Sequence, residues 1–166
     1  MATFQFKGLE EYALKLSNLV EDTEEIAGKA IYKAAGIMTD AVRKNIESLP
    51  ERKGTKGHES YGTPERPLRG VTPKGKKGLL AGLGITPLGN EDGYWNVKIG
   101  FDGYNTVKTK KYPRGQPNQL VARGVESGTS WLEKTPFVAP AVRKTRKAAI
   151  AAMQEVIDTE LEKHMK

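Results

Sequence analysis

The sequence predicts an α+β fold: a small antiparallel sheet flanked by a long N-terminal helix pair and a long C-terminal helix, with an extended basic loop insertion. Three observations carry this. Apolar residues recur at three- and four-residue spacing near both ends of the chain, the period of a helix buried along one side. From Tyr94 to Phe101 the period drops to two, the mark of a half-buried strand. Residues 51–77 show neither period and are rich in Gly, Pro and cations. At 166 residues the chain has the length of one domain, taken as 1–166, with 51–77 as a flexible basic insertion arm.

The first helix follows Gly8, with Leu9, Tyr12, Ala13, Leu16, Leu19 and Val20 on one stripe. A second starts at Asp22, whose carboxylate is placed to cap it while Glu25 reaches back. Ile26, Ala30, Ala34, Ile37, Met38, Ala41, Val42 and Ile46 continue this second stripe to Leu49-Pro50, where proline stops it. Past the arm, Leu79–Leu88 is expected as a strand loosened by Gly82 and Gly84. Tyr94–Phe101 forms the next, with Trp95, Val97, Ile99 and Phe101 facing the core and Asn96 and Lys98 facing away. Asn90 to Gly93 turns between them, and Asp102-Gly103 turns into a third strand, Tyr104–Lys110. Gln119–Ser127 is a short helix closed by Gly128. The last helix begins near Pro140, where a missing N–H costs nothing, and runs through Val142, Ala149, Met153, Val156 and Leu161.

Charge is unevenly spread. The net of +7 divides into −2 over 1–48, +7 over 49–116 and +2 over 117–166. The arm carries Arg52, Lys53, Lys56, Arg66, Arg69, Lys74, Lys76 and Lys77, the candidate contacts for DNA or a protein partner. Such a segment suits phosphate or an acidic surface, and equally keeps a Gly/Pro-rich loop solvated. Only Tyr61 in it could stack on a base, which limits nucleic-acid binding to backbone contact without sequence readout. The last helix carries Arg143, Lys144, Arg146 and Lys147 at its start and Glu155, Asp158, Glu160 and Glu162 near its end, against the helix dipole. That order answers either to an external partner or to tolerated surface charge.

Catalytic chemistry has little to work with. There is no cysteine, so no disulfide or thiolate metal site. His58 lies in the arm and His164 near the C-terminus, neither placed to act as a general base. The run Gly70-Val71-Thr72-Pro73-Lys74-Gly75-Lys76-Lys77 matches GxxxxGK but has lysine where a phosphate loop needs Ser or Thr for magnesium. No catalytic residue, cofactor or metal is expected, and no run of apolar residues is long enough to cross a membrane.

The C-terminal third carries a more specific pattern: Val121-Ala122-Arg123-Gly124-Val125-Glu126-Ser127-Gly128-Thr129-Ser130, then Thr135-Pro136-Phe137-Val138-Ala139-Pro140-Ala141 before a long helix. It resembles the tailed-phage head-tail joining family, also called neck, minor tail or tail-completion proteins of lambda-like siphophages. Glu126, Gly128, Thr129, Ser130, Pro136, Phe137 and Pro140 match that family's pattern and are expected to be structural. Val121 departs from it, standing where the family has an aromatic residue. The opening Gly8-Leu9-Glu10-Glu11 also fits, as does Lys77-Gly78-Leu79-Leu80, and the arm looks like an insertion.

The resemblance implies a non-enzymatic virion structural protein at the head-tail junction, made in the host cytoplasm. It would act as a ring homo-oligomer, hexamer or dodecamer, between the head-completion or connector proteins and the tail-tube proteins, with phosphate contact to packaged DNA through the arm. A non-sequence-specific nucleic-acid-binding accessory protein is the competing expectation. Gly128 is expected to supply a positive-φ helix stop, Thr129 or Ser130 a turn hydrogen bond, and Phe137 a core insertion.

Overall fold

A computed structural model of the chain describes residues 22–52 and 62–165, and over these the α+β class holds. The helix expected over 9–20 lies outside the described residues. The elements in order are α1 (Thr23–Glu47), α2 (Pro73–Gly82), β1 (Leu83–Ile85), β2 (Gly89–Glu91), β3 (Tyr94–Asn96), β4 (Ile99–Phe101), α3 (Asn118–Ser127) and α4 (Val138–Met165).

The two long helices are the frame. α1 buries Ile26, Gly28, Ala30, Ala34, Ala35, Val42 and Ile46, while α4 buries Ala141, Ala149 and Ala152. Small residues on both sides let the backbones approach closely. Their direction follows from two cross-links. Lys29, early in α1, pairs with Glu160, late in α4, at 3.1 Å. Asn45, late in α1, donates from Nδ2 to the Phe137 carbonyl at the start of α4 at 2.7 Å. The pair is therefore antiparallel. The Asp22 carboxylate makes no cap hydrogen bond to α1, contrary to the expected capping box. Val142, expected on the buried stripe of the last helix, is exposed, because the alanines at 141, 149 and 152 define the face that meets α1.

Antiparallel packing does not offset the charge order of α4 but sets like charge beside like. The acidic start of α1 (Glu24, Glu25) and the acidic end of α4 (Glu155, Asp158, Glu160, Glu162) come to one end of the frame. Arg43 and Lys44 meet Arg143, Lys144, Arg146 and Lys147 at the other. The subunit is thus polarised along its long axis.

The expected strand over 79–88 begins instead as a helix. Thr72 accepts the Gly75 N–H on its hydroxyl at 3.2 Å and Pro73 takes the first helical position, a strong start signal. The glycines that looked like strand looseners are the contact face of α2: a Cβ on Gly78 would stand 2.5 Å from Asn118 Oδ1, and one on Gly82 would stand 2.2 Å from the Asp102 carbonyl. Each interior glycine costs a helix about 1 kcal/mol, and here the cost is offset by close packing.

Leu83 to Phe101 is one interrupted hairpin. β1 pairs with β4 (Leu83↔Phe101, Ile85↔Ile99) and β2 with β3 (Gly89↔Asn96, Glu91↔Tyr94), so the single strand expected over 94–101 is split between two ladders. Between them three residues, Thr86 to Leu88, oppose two, Val97 and Lys98, which makes a bulge. Pro87 has no N–H for the ladder, and the Thr86 hydroxyl accepts the Lys98 N–H at 2.8 Å. Ile99 and Phe101 pack on the core as expected, and Lys98 faces solvent. Trp95 and Val97 are only half-buried, and Asn96 as much as they are. The turn is Asp92-Gly93, with φ of 53° and 83°, the two positive values a type I′ turn needs.

No third strand forms over 104–110. The buried Asn105 accepts the N–H groups of Val107 (2.8 Å) and Gln116 (3.2 Å) on Oδ1, curling the chain into a loop. The described part of the expected arm is also built in. Arg52 N–H donates to the Val71 carbonyl, Val71 N–H to Pro50, Leu68 N–H to Trp131, and Glu133 N–H back to Leu68. Gly70, Val71 and Thr72 are buried and 73–77 belong to α2, whereas 63–67 and Arg69 are exposed; residues 53–61 lie outside the described residues.

Everything converges on Phe137, 1% exposed, edge-on to Phe101 at 5.8 Å and surrounded by Val42, Ile46, Leu49, Val71, Leu79, Leu83, Val125 and Leu132. Phe137→Ala should destabilise the subunit by about 3–5 kcal/mol, the cost of a large-to-small core change. Chemical denaturation measures it, and a variant with the parent's midpoint would remove Phe137 from the core.

Candidate functional site

The motif of the C-terminal third becomes a clasp between α3 and α4. α3 ends at Gly128, whose φ of 76° and N–H bond to the Gly124 carbonyl (2.9 Å) stop it as expected. Thr129 then accepts the Leu132 N–H on its hydroxyl at 3.1 Å, the expected turn bond, while Ser130 is exposed. Glu126, two residues before the stop, reaches over to the start of α4. Its Oε2 accepts the N–H groups of Phe137 (2.7 Å) and Val138 (2.8 Å), and its Oε1 that of Ala139 (3.0 Å). A helix leaves its first N–H groups unpaired, and one carboxylate here takes three donors at that terminus. Pro140 falls in the same first turn, two residues inside the helix start at Val138, and Pro136 is exposed just before it.

Partial burial pushes the Glu126 carboxyl up, but the three N–H bonds and the nearby Lys134 outweigh it and hold the group below the ordinary carboxylate range. Bridging that one carboxylate over three backbone donors is a structural task, which is what the resemblance implied for this residue.

The clasp forms one wall of an open groove of about 890 Å³. Leu120, Val121 and Val125 of α3, Trp131 and Leu132 of the clasp, and Tyr112 of the 104–117 loop supply its apolar lining. Leu120 is 45% exposed and Trp131 46%, high values for residues of that size. Arg52, Lys110, Lys111 and Arg123 stand around it, and no acidic side chain is among its described lining residues. The Lys111 ammonium lies 5.6 Å from the Tyr112 ring centroid. A second hollow of about 1060 Å³ opens between β1, β4, α3 and the start of α4, with Arg123 shared between the two.

The basic positions expected to contact a partner divide into three groups. Arg66, Arg69, Lys74 and Lys77 are exposed. Lys53 and Lys56 lie outside the described residues. Lys76 and Arg52 are engaged in the fold: the Lys76 ammonium, its side chain 15% exposed, donates to the Leu49 carbonyl and pairs with Glu51, and Arg52 Nε donates to the Gly70 carbonyl. Of the six described, only Arg52 reaches the groove. The other groove cations come from the 104–117 loop and α3. For the loop cations the signal in the sequence is the run Lys108-Thr109-Lys110-Lys111, which overlaps the strand expected over 104–110. Among the described residues no group of three or more His, Cys, Asp or Glu is arranged to hold a metal ion, and no helix is long and apolar enough to cross a membrane.

Glu126→Gln should cost about 0.5–2 kcal/mol at neutral pH, the range for losing a helix cap. Because the folded-state pKa is depressed, the carboxylate's contribution is complete above the unfolded-state value and is lost as pH falls through the folded one. The stability gap between parent and variant, followed by urea melts from neutral to strongly acidic pH, should therefore shrink on acidification; a constant gap would mean that the charge plays no part. Comparison of the chain with protein-family models, with curated proteins and with solved structures finds no match, so the clasp and the groove beside it are interpreted from their own geometry.

Proposed function

We propose that this chain is a structural, non-enzymatic subunit of a tailed-bacteriophage particle at the head-tail junction, of the neck or tail-completion kind. It acts by ring-type assembly with copies of itself between the connector and the tail, and resides in the host cytoplasm before it joins the virion. The observation that carries this reading is the clasp. The residues that resemble the head-tail joining family, Glu126, Gly128, Thr129 and Phe137, are those that tie α3 to α4 and fill the core. A resemblance concentrated in fold-determining positions is what a shared architecture would leave, and it presents apolar surface at Leu120 and Trp131 beside it.

A second reading, non-specific nucleic-acid binding, draws on the exposed Arg66, Arg69, Lys74 and Lys77 and on the net charge of +7. Light-scattering mass measurement of the purified protein, with and without duplex DNA, separates the two. The assembly reading expects discrete oligomers without DNA and co-purification with tail proteins from infected cells. A monomer that binds DNA with affinity falling steeply with salt would replace it with the accessory-protein reading.

A further inference from the structure

The β2–β3 hairpin has little to hold it. Its single ladder of three residue pairs leaves Asn90, Glu91, Asp92, Gly93 and Tyr94 all exposed, and a two-stranded ribbon is marginal in water by itself. Tyr94, immediately after the turn, is 77% exposed, the largest value among the exposed large hydrophobic residues. Beside it stand Glu91 and Asp92; Glu91 pairs with Lys98 of the same ribbon at 2.8 Å, so the tip carries one net negative charge.

The hairpin's position follows from its contacts with α1. Arg43 donates to the Leu80 carbonyl, the Tyr32 hydroxyl to the Thr86 carbonyl, and Leu88 lies against Gly28. As the chain advances from 80 to 88 it therefore runs back along α1 toward its N-terminus, and the tip continues to the acidic end of the frame. The basic apolar groove lies at the other end. It is lined by Arg52, Gly70 and Val71, and Val71 is bonded to Pro50 just past the α1 C-terminus. The 25 residues of α1 span about 37 Å, so a subunit cannot place its own hairpin in its own groove.

We propose that the hairpin tip of one copy docks in the groove of the next, with Tyr94 packing against Leu120 and Trp131, and Glu91 and Asp92 facing Lys110, Lys111 and Arg123. The occupant is a second copy of this chain. An acidic, aromatic projection at one end and a basic, apolar recess at the other are complementary in sign and in polarity. Because the two surfaces differ, the contact is head-to-tail, the type that closes into a ring when the rotation between copies permits. This inference rests on the self-assembly proposed above and specifies its interface. The segment 53–61, which joins two groove-lining residues in sequence, is a poorer occupant by composition: it carries Lys53 and Lys56 with Glu59, and Tyr61 is its only large apolar side chain.

The absence of cysteine from the chain makes a direct test simple. Full-length Tyr94→Cys and Leu120→Cys variants are purified separately, mixed and oxidised. The expected product is a disulfide-linked heterodimer in the mixture, with little linkage in either variant alone. Tyr94→Ser, and Lys110→Glu combined with Lys111→Glu, should each weaken association by more than about tenfold, the scale of an interface hot spot, while melting like the parent. Ile150→Ser, on an exposed face of α4, should leave association unchanged. A parent that is oligomeric but yields no mixed disulfide, or whose association survives Tyr94→Ser, overturns the docking and leaves self-assembly standing. Preferential Tyr94–Tyr94 linkage means a two-fold contact and overturns the head-to-tail arrangement. A parent that is monomeric at every concentration overturns both.

Discussion

The Glu126 carboxylate is the constraint on which the rest of the structure depends. By accepting three backbone N–H groups at the start of α4, it fixes where the longest helix begins and the direction in which it leaves α3. The same residues it holds include Phe137, so the cap and the core insertion are one event. Once α4 is set, its alanine face meets that of α1, Asn45 joins the two near the core, and Lys29 joins them at the far end. The cap also answers the adverse charge order of α4, because it sets a carboxylate beside N–H groups that otherwise face only Arg143, Lys144, Arg146 and Lys147.

The clasp and the groove are mechanically related. Gly128 and Thr129 turn the chain so that Leu132 is buried while Trp131, its neighbour, stays at the surface. The Trp131 carbonyl accepts N–H groups from both Gly62 and Leu68, which holds the 62–72 segment along the groove's other side. Backbone hydrogen bonds therefore hold the chain on two sides of the recess. Preorganisation of this kind lowers the entropy lost when a partner binds.

What was legible in the sequence was what local chemistry determines. The stripe of α1, the short helix expected over 119–127, the positive-φ stop at Gly128, the turn bond of Thr129 and the burial of Phe137 each depend on spacing or on one residue's conformational preference. What was missed depends on residues distant in sequence. α2 was hidden because Gly78 and Gly82 weaken a helix in isolation and earn their place only against Asn118 and the 102–105 backbone. The third strand was written into 104–110 because the alternation there is permissive, yet the Asn105 amide captures the N–H groups a ladder would need. The split of 94–101 into two ladders follows from Pro87 on the opposite strand. Glu126 was marked by resemblance alone, since its recipients lie 11 to 13 residues away, beyond any capping signature. The groove cations were visible as a run of lysines, but only the loop geometry brings them beside Arg123.

The bulge at Thr86 to Leu88 has a consequence for the open edges of the ribbon. A long, flat ribbon offers open N–H and C=O edges on which further chains can add without limit, the route by which strands grow into fibrils. Here Pro87 divides the ribbon into two ladders of three residues with a kink between them, so neither edge is long enough to template a new strand.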